Sequence, residues 1–156
     1  MGIEIERKFL VTDDSWRSDA KGQLCRQGYL SISSEIAVRV RIMGEQASLT
    51  VKGMGAAVTR PEFEYPLPLA DANEMLDRFC LKPVVEKIRY HVNYSGNVWE
   101  VDEFLGDNKG LVLAEIELEN ENQVIELPEW TGEEVTEDDR YIKINLGLLS
   151  YHSLME

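Results

Sequence analysis

Two carboxylates and an amine occupy alternate positions near the start of the chain. Within EIERK, Glu4, Glu6 and Lys8 would share one face of a β-strand. Ile3 and Ile5 would then take the opposite face. Carboxylates two residues apart on a strand can converge on a hard divalent cation such as Mg²⁺ or Mn²⁺, because these ions prefer oxygen ligands. The opening segment therefore predicts a metal-binding strand.

The same alternation recurs in later segments, often with charges of one sign. In AVRVRIM, Arg39 and Arg41 share a face opposite a row of apolar residues. The other charged residues in this pattern are Lys52, Arg60, Glu62, Glu64, Lys87, Arg89, His91, Glu100, Asp102, Glu115, Glu117 and Glu119. Like charges about 6.5–7 Å apart on a strand repel one another. Because Arg and Lys at this spacing can bind successive phosphate groups, the pattern indicates a site for cations and a polyanion.

A solvated sheet face is the alternative explanation for each strand taken alone. Antiparallel sheets commonly pack one face and expose a charged one. Alternation does not decide which face lies inside, because a closed barrel could hold either. If the charged face lies inside, the apolar outer face must be covered by helices or by a partner subunit.

The elements that would position these residues are mostly strands. The predicted strands are Ile3–Val11, Gln27–Ser33, Ala37–Met43, Ala47–Lys52, Thr59–Leu67, Val84–Tyr94, Val98–Phe104 and Val112–Glu119. Their close spacing, with Gly or Asn in the gaps, favours antiparallel hairpins and a meander or barrel. One helix is predicted from a capping box of Asp71 with Glu74, a second from Thr136–Asp139, and a short third within Ser15–Lys21.

Length, net charge and cysteine content argue against several classes of function. A chain of 156 residues predicts a single domain spanning residues 1–156. Its net charge of −13 argues against nucleic-acid binding and against a polybasic membrane contact. No apolar run approaches the roughly 20 residues of a membrane span. The cysteines, Cys25 and Cys80, lack CxxC spacing, which favours a reducing, cytoplasmic location.

The chain lacks the sequence motifs of other common metal-binding, phosphate-binding and hydrolase sites. The chain has two histidines, His91 and His152, which disfavours a histidine-based zinc site. It contains no GxxxxGK[ST] loop, no strand-linked GxGxxG and no GxSxG elbow. Any phosphate-binding site must therefore be built from side chains.

Nine motifs follow one another along nearly the whole chain. They are EIERKFLV, RQGYL, RVR, TVKG, RPEFE, EKIRY, WEVDEF, AEIELE and EEVTEDDRY. Their order resembles that of CYTH-domain proteins, also called triphosphate tunnel metalloenzymes, and the chain is most similar to the short bacterial members. The resemblance implies a mainly β (α+β) fold, a closed eight-stranded antiparallel barrel with a few flanking helices. It also implies that the charged face lines a tunnel.

The resemblance further implies roles for individual residues. The metal would be held by two acidic pairs, Glu4 with Glu6 and Glu115 with Glu117. Three further acids would hold or orient a second metal or its waters: Glu62, Glu64 and Asp102. Glu119 completes the ExExE motif as an additional metal-site acid. The residues that would bind the substrate are Lys8, Arg39, Arg41, Lys52, Arg60, Lys87 and Arg89. Lys8 and Tyr29, which matches a tyrosine that pairs with this lysine, would form the catalytic pair that activates or orients water. A crowded cationic site would lower the pKa of Lys8, which predicts activity at alkaline pH.

The expected function is divalent-metal-dependent hydrolysis of tripolyphosphate, with Mg²⁺ or Mn²⁺ as cofactor. Alternatives on the same scaffold are a class IV adenylate cyclase or a thiamine or nucleoside triphosphatase. A non-catalytic module that binds polyphosphate or nucleotide is a further alternative. The expected partner is a small-molecule triphosphate, and a homodimer is expected if apolar barrel surface stays uncovered. Lys143 departs from the family's RYxNxNL pattern, in a segment expected to form a C-terminal helix that covers one tunnel end. Lys143 itself is expected to face solvent, and a phosphate contact is the alternative.

Overall fold

The computed structural model describes residues 2–18, 20–54 and 58–155, and antiparallel strands dominate it. The strands are β1 (Ile3–Val11), β2 (Gly22–Ile32), β3 (Ile36–Met43), β4 (Gln46–Gly53), β5 (Thr59–Leu67), β6 (Val85–Tyr94), β7 (Asn97–Phe104), β8 (Val112–Glu117) and β9 (Thr131–Glu134). The α-helices are α1 (Leu69–Arg78), α2 (Asp139–Leu146) and α3 (Tyr151–Leu154). Short 3-10 turns cover Ser15–Arg17 and Gly106–Asn108.

Eight of these strands close into a barrel. Neighbouring strands follow the order β1, β5, β4, β3, β2, β6, β7 and β8, and β8 pairs again with β1. The closure is visible in β1, where Glu4 pairs with Arg60 of β5 and Lys8 pairs with Glu115 of β8. Strand β9 adds a short extra pairing to β1. The predicted eight-stranded antiparallel barrel is therefore confirmed.

Some predicted element boundaries are wrong, for local reasons. Strand β2 begins at Gly22 rather than Gln27, because its first half pairs with β6 despite few apolar residues. Helix α1 begins at Leu69 after Pro68, whose φ of −60° suits a helix start. Asp71 therefore lies in the first helical turn and does not cap it, although an acid there is still favoured by the helix dipole.

The other two helix predictions also shift. Helix α2 begins at Asp139, and the Asp138 side chain caps it by accepting a hydrogen bond from Arg140 N at 3.1 Å. The segment Ser15–Lys21 forms only the 3-10 turn at Ser15–Arg17, and Asp19 lies outside the described residues. Neither helix α3 nor strand β9 was predicted, because TGEE and YHSL carry no periodic apolar pattern.

Three apolar clusters lie on the outside of the barrel or at its end. Helix α1 buries Ala72 and Leu76 against Val40 and Ile42 of β3. A second cluster covers β1, β7 and β8, and it consists of Phe9, Trp16, Trp99, Val101, Ala114, Ile116, Leu118 and Trp130. The third packs α2 against the barrel, and it consists of Val85, Phe104, Leu111, Leu113, Val135, Tyr141 and Ile144. Because the apolar face is covered by these elements, the charged face is free to line the interior.

Docking of α1 is expected to depend on Leu76, which has no exposed surface. We expect Leu76→Ala to lower the free energy of unfolding by about 2–5 kcal/mol, because it leaves a cavity in a packed site. Leu69→Ala on the same helix is the control, since Leu69 is 39% exposed. Urea denaturation measures both variants. Equal stability of the two would contradict the described docking of α1.

Part of the barrel's outer surface stays uncovered. Phe63 and Tyr65 of β5 are 48% and 56% exposed, on the side opposite the inward-facing Glu62 and Glu64. The homodimer remains a prediction. Across the described residues, no helix combines the length and the apolar character needed to span a membrane.

Candidate active site

A cavity of about 330 Å³ runs inside the barrel, and all eight barrel strands and α2 contribute to its lining. It brings together most of the predicted site residues. Those that line it are Glu4, Glu6, Lys8, Tyr29, Arg39, Arg41, Lys52, Arg60, Glu62, Glu64, Lys87, Arg89, Glu115 and Glu117. We call this cavity the tunnel. Asp102 and Glu119 are not part of its lining.

Strand register divides the tunnel into two regions of different charge. The acidic pairs meet because Glu6 of β1 pairs with Glu117 of β8, and Glu115 of β8 pairs with Glu100 of β7. Basic side chains dominate β3 and β6, the two strands that flank β2, and they are Arg39, Arg41, Lys87 and Arg89. The barrel therefore places a carboxylate-rich wall beside a cation-rich wall.

Lys52 lies between two carboxylates of the acidic wall. Its Nζ is 3.5 Å from Glu4 Oε1 and 3.5 Å from Glu62 Oε2. Both oxygens are buried, and within the described part of the chain neither accepts a hydrogen bond. Burial raises the pKa of Glu4, Lys52 opposes this in part, and Glu62 and Glu115 raise it further. Negative charge here exceeds what one lysine can neutralise.

A second group of paired charges surrounds Glu6. Glu6 Oε1 lies 3.2 Å from Arg60 Nη2 and 3.5 Å from Lys8 Nζ. Burial, followed by the neighbouring Glu115, raises the pKa of Glu6 to about 7. Burial would also raise the pKa of Glu115, but Lys8 and Arg89 outweigh it and hold that pKa at about 2. The two carboxylates therefore differ strongly in how well their charge is compensated.

Lys8 is surrounded mainly by acids, whereas Tyr29 is surrounded by cations. Burial would lower the pKa of Lys8, but Glu6 and Glu115 outweigh it and the pKa is raised. This direction is opposite to the one expected from the sequence, because the neighbours of Lys8 are mostly acids. Burial would raise the pKa of the Tyr29 phenol, but Arg39 and other tunnel cations lower it. Among the residues described, no hydrogen bond joins Lys8 to Tyr29, and their catalytic pairing stays a prediction.

The acidic wall fits a hard divalent cation in the type of its donors. Carboxylate oxygens are the ligands that Mg²⁺ and Mn²⁺ prefer, and Glu4 Oε1 and Glu62 Oε2 are buried without a hydrogen bond. In the described ranges, no three His, Cys, Asp or Glu side chains already form a metal-binding cluster. Metal binding would therefore require Glu4 and Glu62 to give up Lys52, and Glu6 to give up Lys8 and Arg60.

Asp102 lies behind the tunnel lining and fixes two of its cations. It is fully buried, and Oδ2 is 2.8 Å from Lys87 Nζ. Arg89 donates from Nε to Oδ1 at 2.8 Å and from Nη2 to Oδ2 at 2.9 Å. Burial opposes the charge, but Lys87 and Arg89 outweigh it and hold the pKa of Asp102 well below its usual range. This geometry supports a positioning role, and the metal role of Asp102 stays a prediction.

Arg41 differs from the other tunnel cations. Over residues 2–18, 20–54 and 58–155, each of the others has a carboxylate oxygen within 4 Å, and Arg41 has none. Its Nε and Nη2 instead donate to Gln27 Oε1, at 3.2 and 2.9 Å. Burial, then Arg39 and Arg89, lower its pKa. Arg41 is thus an oriented positive charge with no paired anion.

Three polar lining residues were not assigned from the sequence: Gln27, Glu100 and Asn145. Glu100 follows the same alternation as Asp102, so its position was predictable, and it accepts a hydrogen bond from Arg89 Nη1 at 3.2 Å. Gln27 and Asn145 are neutral and carry no charge pattern that could have revealed them.

Two predicted positions lie outside the tunnel. Glu119 is exposed beyond the end of β8, and its metal role stays a prediction. Lys143 faces solvent and pairs with Asp139 Oδ2 at 2.9 Å, one turn earlier on α2. The segment that carries Lys143 does contribute to the tunnel, because Ile142, Asn145 and Leu146 of α2 line it.

Comparison with known proteins gives full-length matches. An inorganic triphosphatase from Acetivibrio thermocellus is 50% identical over 156 residues, which is 100% of both chains. One from Nitrosomonas europaea is 38% identical and covers 93% of this chain and 97% of its own length. The crystal structure of the inorganic triphosphatase NE1496 matches with a TM-score of 0.66 and 36% identity, over 92% of this chain and 97% of that one.

The family model for the CYTH domain matches residues 2–145. That range contains all nine barrel and edge strands, every tunnel-lining residue except Leu146, and most of α2. The chain belongs to the CYTH domain family.

Proposed function

We propose that this chain hydrolyses inorganic triphosphate to pyrophosphate and phosphate inside the tunnel, with a divalent cation. The observation that carries this proposal is the composition of the tunnel walls. Glu4 and Glu62 share a single lysine, and each has a buried oxygen without a hydrogen bond. Arg41, which has no carboxylate partner among the described residues, lines the same cavity. A triphosphate with a hard cation supplies the missing charge to both. The two relatives named inorganic triphosphatase, at 50% and 38% identity, support this substrate.

The cation-rich wall would bind the triphosphate. Arg39, Arg41, Lys87 and Arg89 can donate hydrogen bonds to phosphate oxygens in a largely buried space. Such fixed donors stabilise the charge that shifts between the transferred phosphoryl group and the leaving pyrophosphate. Lys8, with its raised pKa, stays an ammonium group at neutral pH, so it would donate a hydrogen bond rather than remove a proton.

The acidic wall would hold the cation. We assign this role to Glu4, Glu6, Glu115 and Glu117, with Glu62 and Glu64 beside them. When bound, Mg²⁺ or Mn²⁺ would supply electrostatic stabilisation of the phosphoryl group undergoing transfer. With these carboxylates holding a cation, Lys52, Lys8 and Arg60 would be available to contact the substrate.

The tunnel favours a compact inorganic substrate over a nucleotide. Charged side chains make up most of its lining, whereas a base or a thiamine ring needs an apolar or aromatic surface. The aromatic side chain in the described lining is Tyr29, which is only 4% exposed and surrounded by cations.

The test compares tripolyphosphate, ATP and thiamine triphosphate, each with Mg²⁺ or Mn²⁺, by phosphate release and by cyclic AMP formation. We expect tripolyphosphate to give the highest kcat/KM, and no turnover with EDTA. Formation of cyclic AMP and pyrophosphate from ATP would show a cyclase instead. Tight binding of all three compounds without products would show a binding module.

Arg41 gives a direct prediction for substrate binding. We expect Arg41→Met to weaken tripolyphosphate binding about 10- to 100-fold, because hydrogen bonds to a charged group contribute about 1.5–3 kcal/mol each. Arg78→Met is the control, since Arg78 is exposed on α1 and pairs with Glu74. Isothermal titration calorimetry measures both. If the Arg41 variant bound tripolyphosphate with unchanged affinity, Arg41 would not be a phosphate-binding residue.

A further inference from the structure

Gln27 links a tunnel cation to the C-terminal helix. Its side chain is 1% exposed, and both ends of its amide are engaged. Gln27 Oε1 accepts two hydrogen bonds from Arg41, and Gln27 Nε2 donates to the backbone oxygen of Asn145 at 3.0 Å. Because Asn145 belongs to α2, the orientation of Arg41 depends on where this helix sits.

Asn145 makes the corresponding contact to a second cation. Its Oδ1 accepts a hydrogen bond from Lys87 Nζ at 3.1 Å. Lys87 is 1% exposed, and its ammonium group is also held by Asp102. One residue of α2 thus touches Lys87 through its side chain and Gln27 through its backbone.

The location of these contacts places α2 at one end of the tunnel. The pairing of β2 with β6 ends where Gln27 meets Val85, the first residue of β6. Ile142, Asn145 and Leu146 complete the tunnel lining there. Helix α2 is anchored separately by Tyr141 and Ile144, which pack against Val85 and Phe104.

The neutrality of both contacts matters for anion binding. Arg41 has no carboxylate within 4 Å among the described residues, so the amide oxygen of Gln27 orients it and leaves its positive charge available. Lys87 already shares the carboxylate of Asp102 with Arg89, so a further carboxylate at position 145 would reduce the remaining positive charge, whereas the Asn145 amide does not. The guanidinium N–H groups of Arg41 that do not bond Gln27 remain available to donate to a ligand.

We propose that Gln27 and Asn145 form a neutral amide bracket that orients Arg41 and Lys87 for a phosphate group, and that α2 is thereby part of the substrate site. The bracket residues are positioning residues, because they act through the two cations. The proposal rests on the proposed function, since it takes triphosphate as the ligand. By linkage, docking of α2 and phosphate binding must strengthen one another.

The test uses two kinds of substitution in the full chain. Gln27→Met and Asn145→Leu remove the hydrogen bonds, whereas the near-isosteric Gln27→Glu and Asn145→Asp keep the acceptor and add charge. We expect the dissociation constant for tripolyphosphate, measured by calorimetry in EDTA, to rise about 5- to 10-fold in each variant. With metal, KM should rise while kcat stays near wild type. Asn122→Asp adds the same charge on an exposed loop, and it should change neither value.

Hydrogen exchange of the α2 amides provides a readout that a purely structural role would not give. In wild type, tripolyphosphate should slow exchange in residues 139–146, and the bracket variants should lose most of this ligand-dependent protection. Unchanged dissociation constants in the Glu and Asp variants would overturn the bracket while leaving the triphosphatase function intact. Wild-type protein that binds tripolyphosphate without hydrolysing it would overturn the proposed function alone. A wild type that does neither overturns both.

Discussion

Replacing Glu4 and Glu6 together by glutamine should lower tripolyphosphate hydrolysis by at least about 10²–10³-fold, because both are proposed metal ligands in the acidic wall. The fold should survive the change. Burial and neighbouring acids raise the pKa of both carboxylates, so their surroundings disfavour the charge that the substitution removes. Loss of activity with little loss of stability is therefore the expected signature of this pair.

Phosphate release at saturating Mg²⁺ or Mn²⁺ measures the effect, and thermal unfolding checks the fold. Glu74→Gln is the control, because Glu74 lies exposed on α1 and pairs only with Arg78 among the described residues. If the Glu4→Gln/Glu6→Gln protein kept wild-type turnover, the first strand would have no catalytic role and the metal assignment would fail.

Replacing Asp102 by asparagine should cause a large loss of stability, in contrast to the Glu4→Gln/Glu6→Gln protein. Its pKa is strongly lowered by Lys87 and Arg89, so the folded protein depends on its charge. Removing one partner from a buried ionic group leaves uncompensated charge, which costs about 3–5 kcal/mol. Asn keeps the size of the side chain, so the loss comes from charge and not from a cavity.

The matched control is Glu103→Gln on the same strand. Glu103 pairs with Arg17 at 3.2 Å, but its side chain is 33% exposed, so its loss should cost only about 0–1 kcal/mol. Tripolyphosphate should raise the Tm of Asp102→Asn more than that of wild type, because the anion replaces the missing negative charge. An Asp102→Asn protein as stable as the Glu103→Gln control would show that the buried pairing contributes little.

Much of this barrel could be predicted from alternation alone. Strands such as EIERKFLV and AVRVRIM place apolar residues on one face and charges on the other, and the structure keeps β1 at Ile3–Val11 as predicted. Alternation could not say which face lies inside. That depends on what covers the outer face, namely α1, α2 and the tryptophan-rich cluster.

The remaining features depend on contacts between distant segments. Gln27 and Asn145 are 118 residues apart and neutral, so neither periodicity nor charge identifies them. Asp102 was correctly placed on a charged face, but the sequence could not show that Lys87 and Arg89 occupy both of its oxygens. The raised pKa of Lys8 likewise reflects Glu115, which reaches it only through pairing of β1 with β8.

The most direct test of the proposed function is a phosphorus NMR time course of tripolyphosphate with the purified protein and Mg²⁺ or Mn²⁺. We predict the appearance of pyrophosphate and phosphate in equal amounts, abolished by EDTA and in Glu4→Gln/Glu6→Gln. Tripolyphosphate that remains intact with the wild-type protein and either metal would contradict the proposed function.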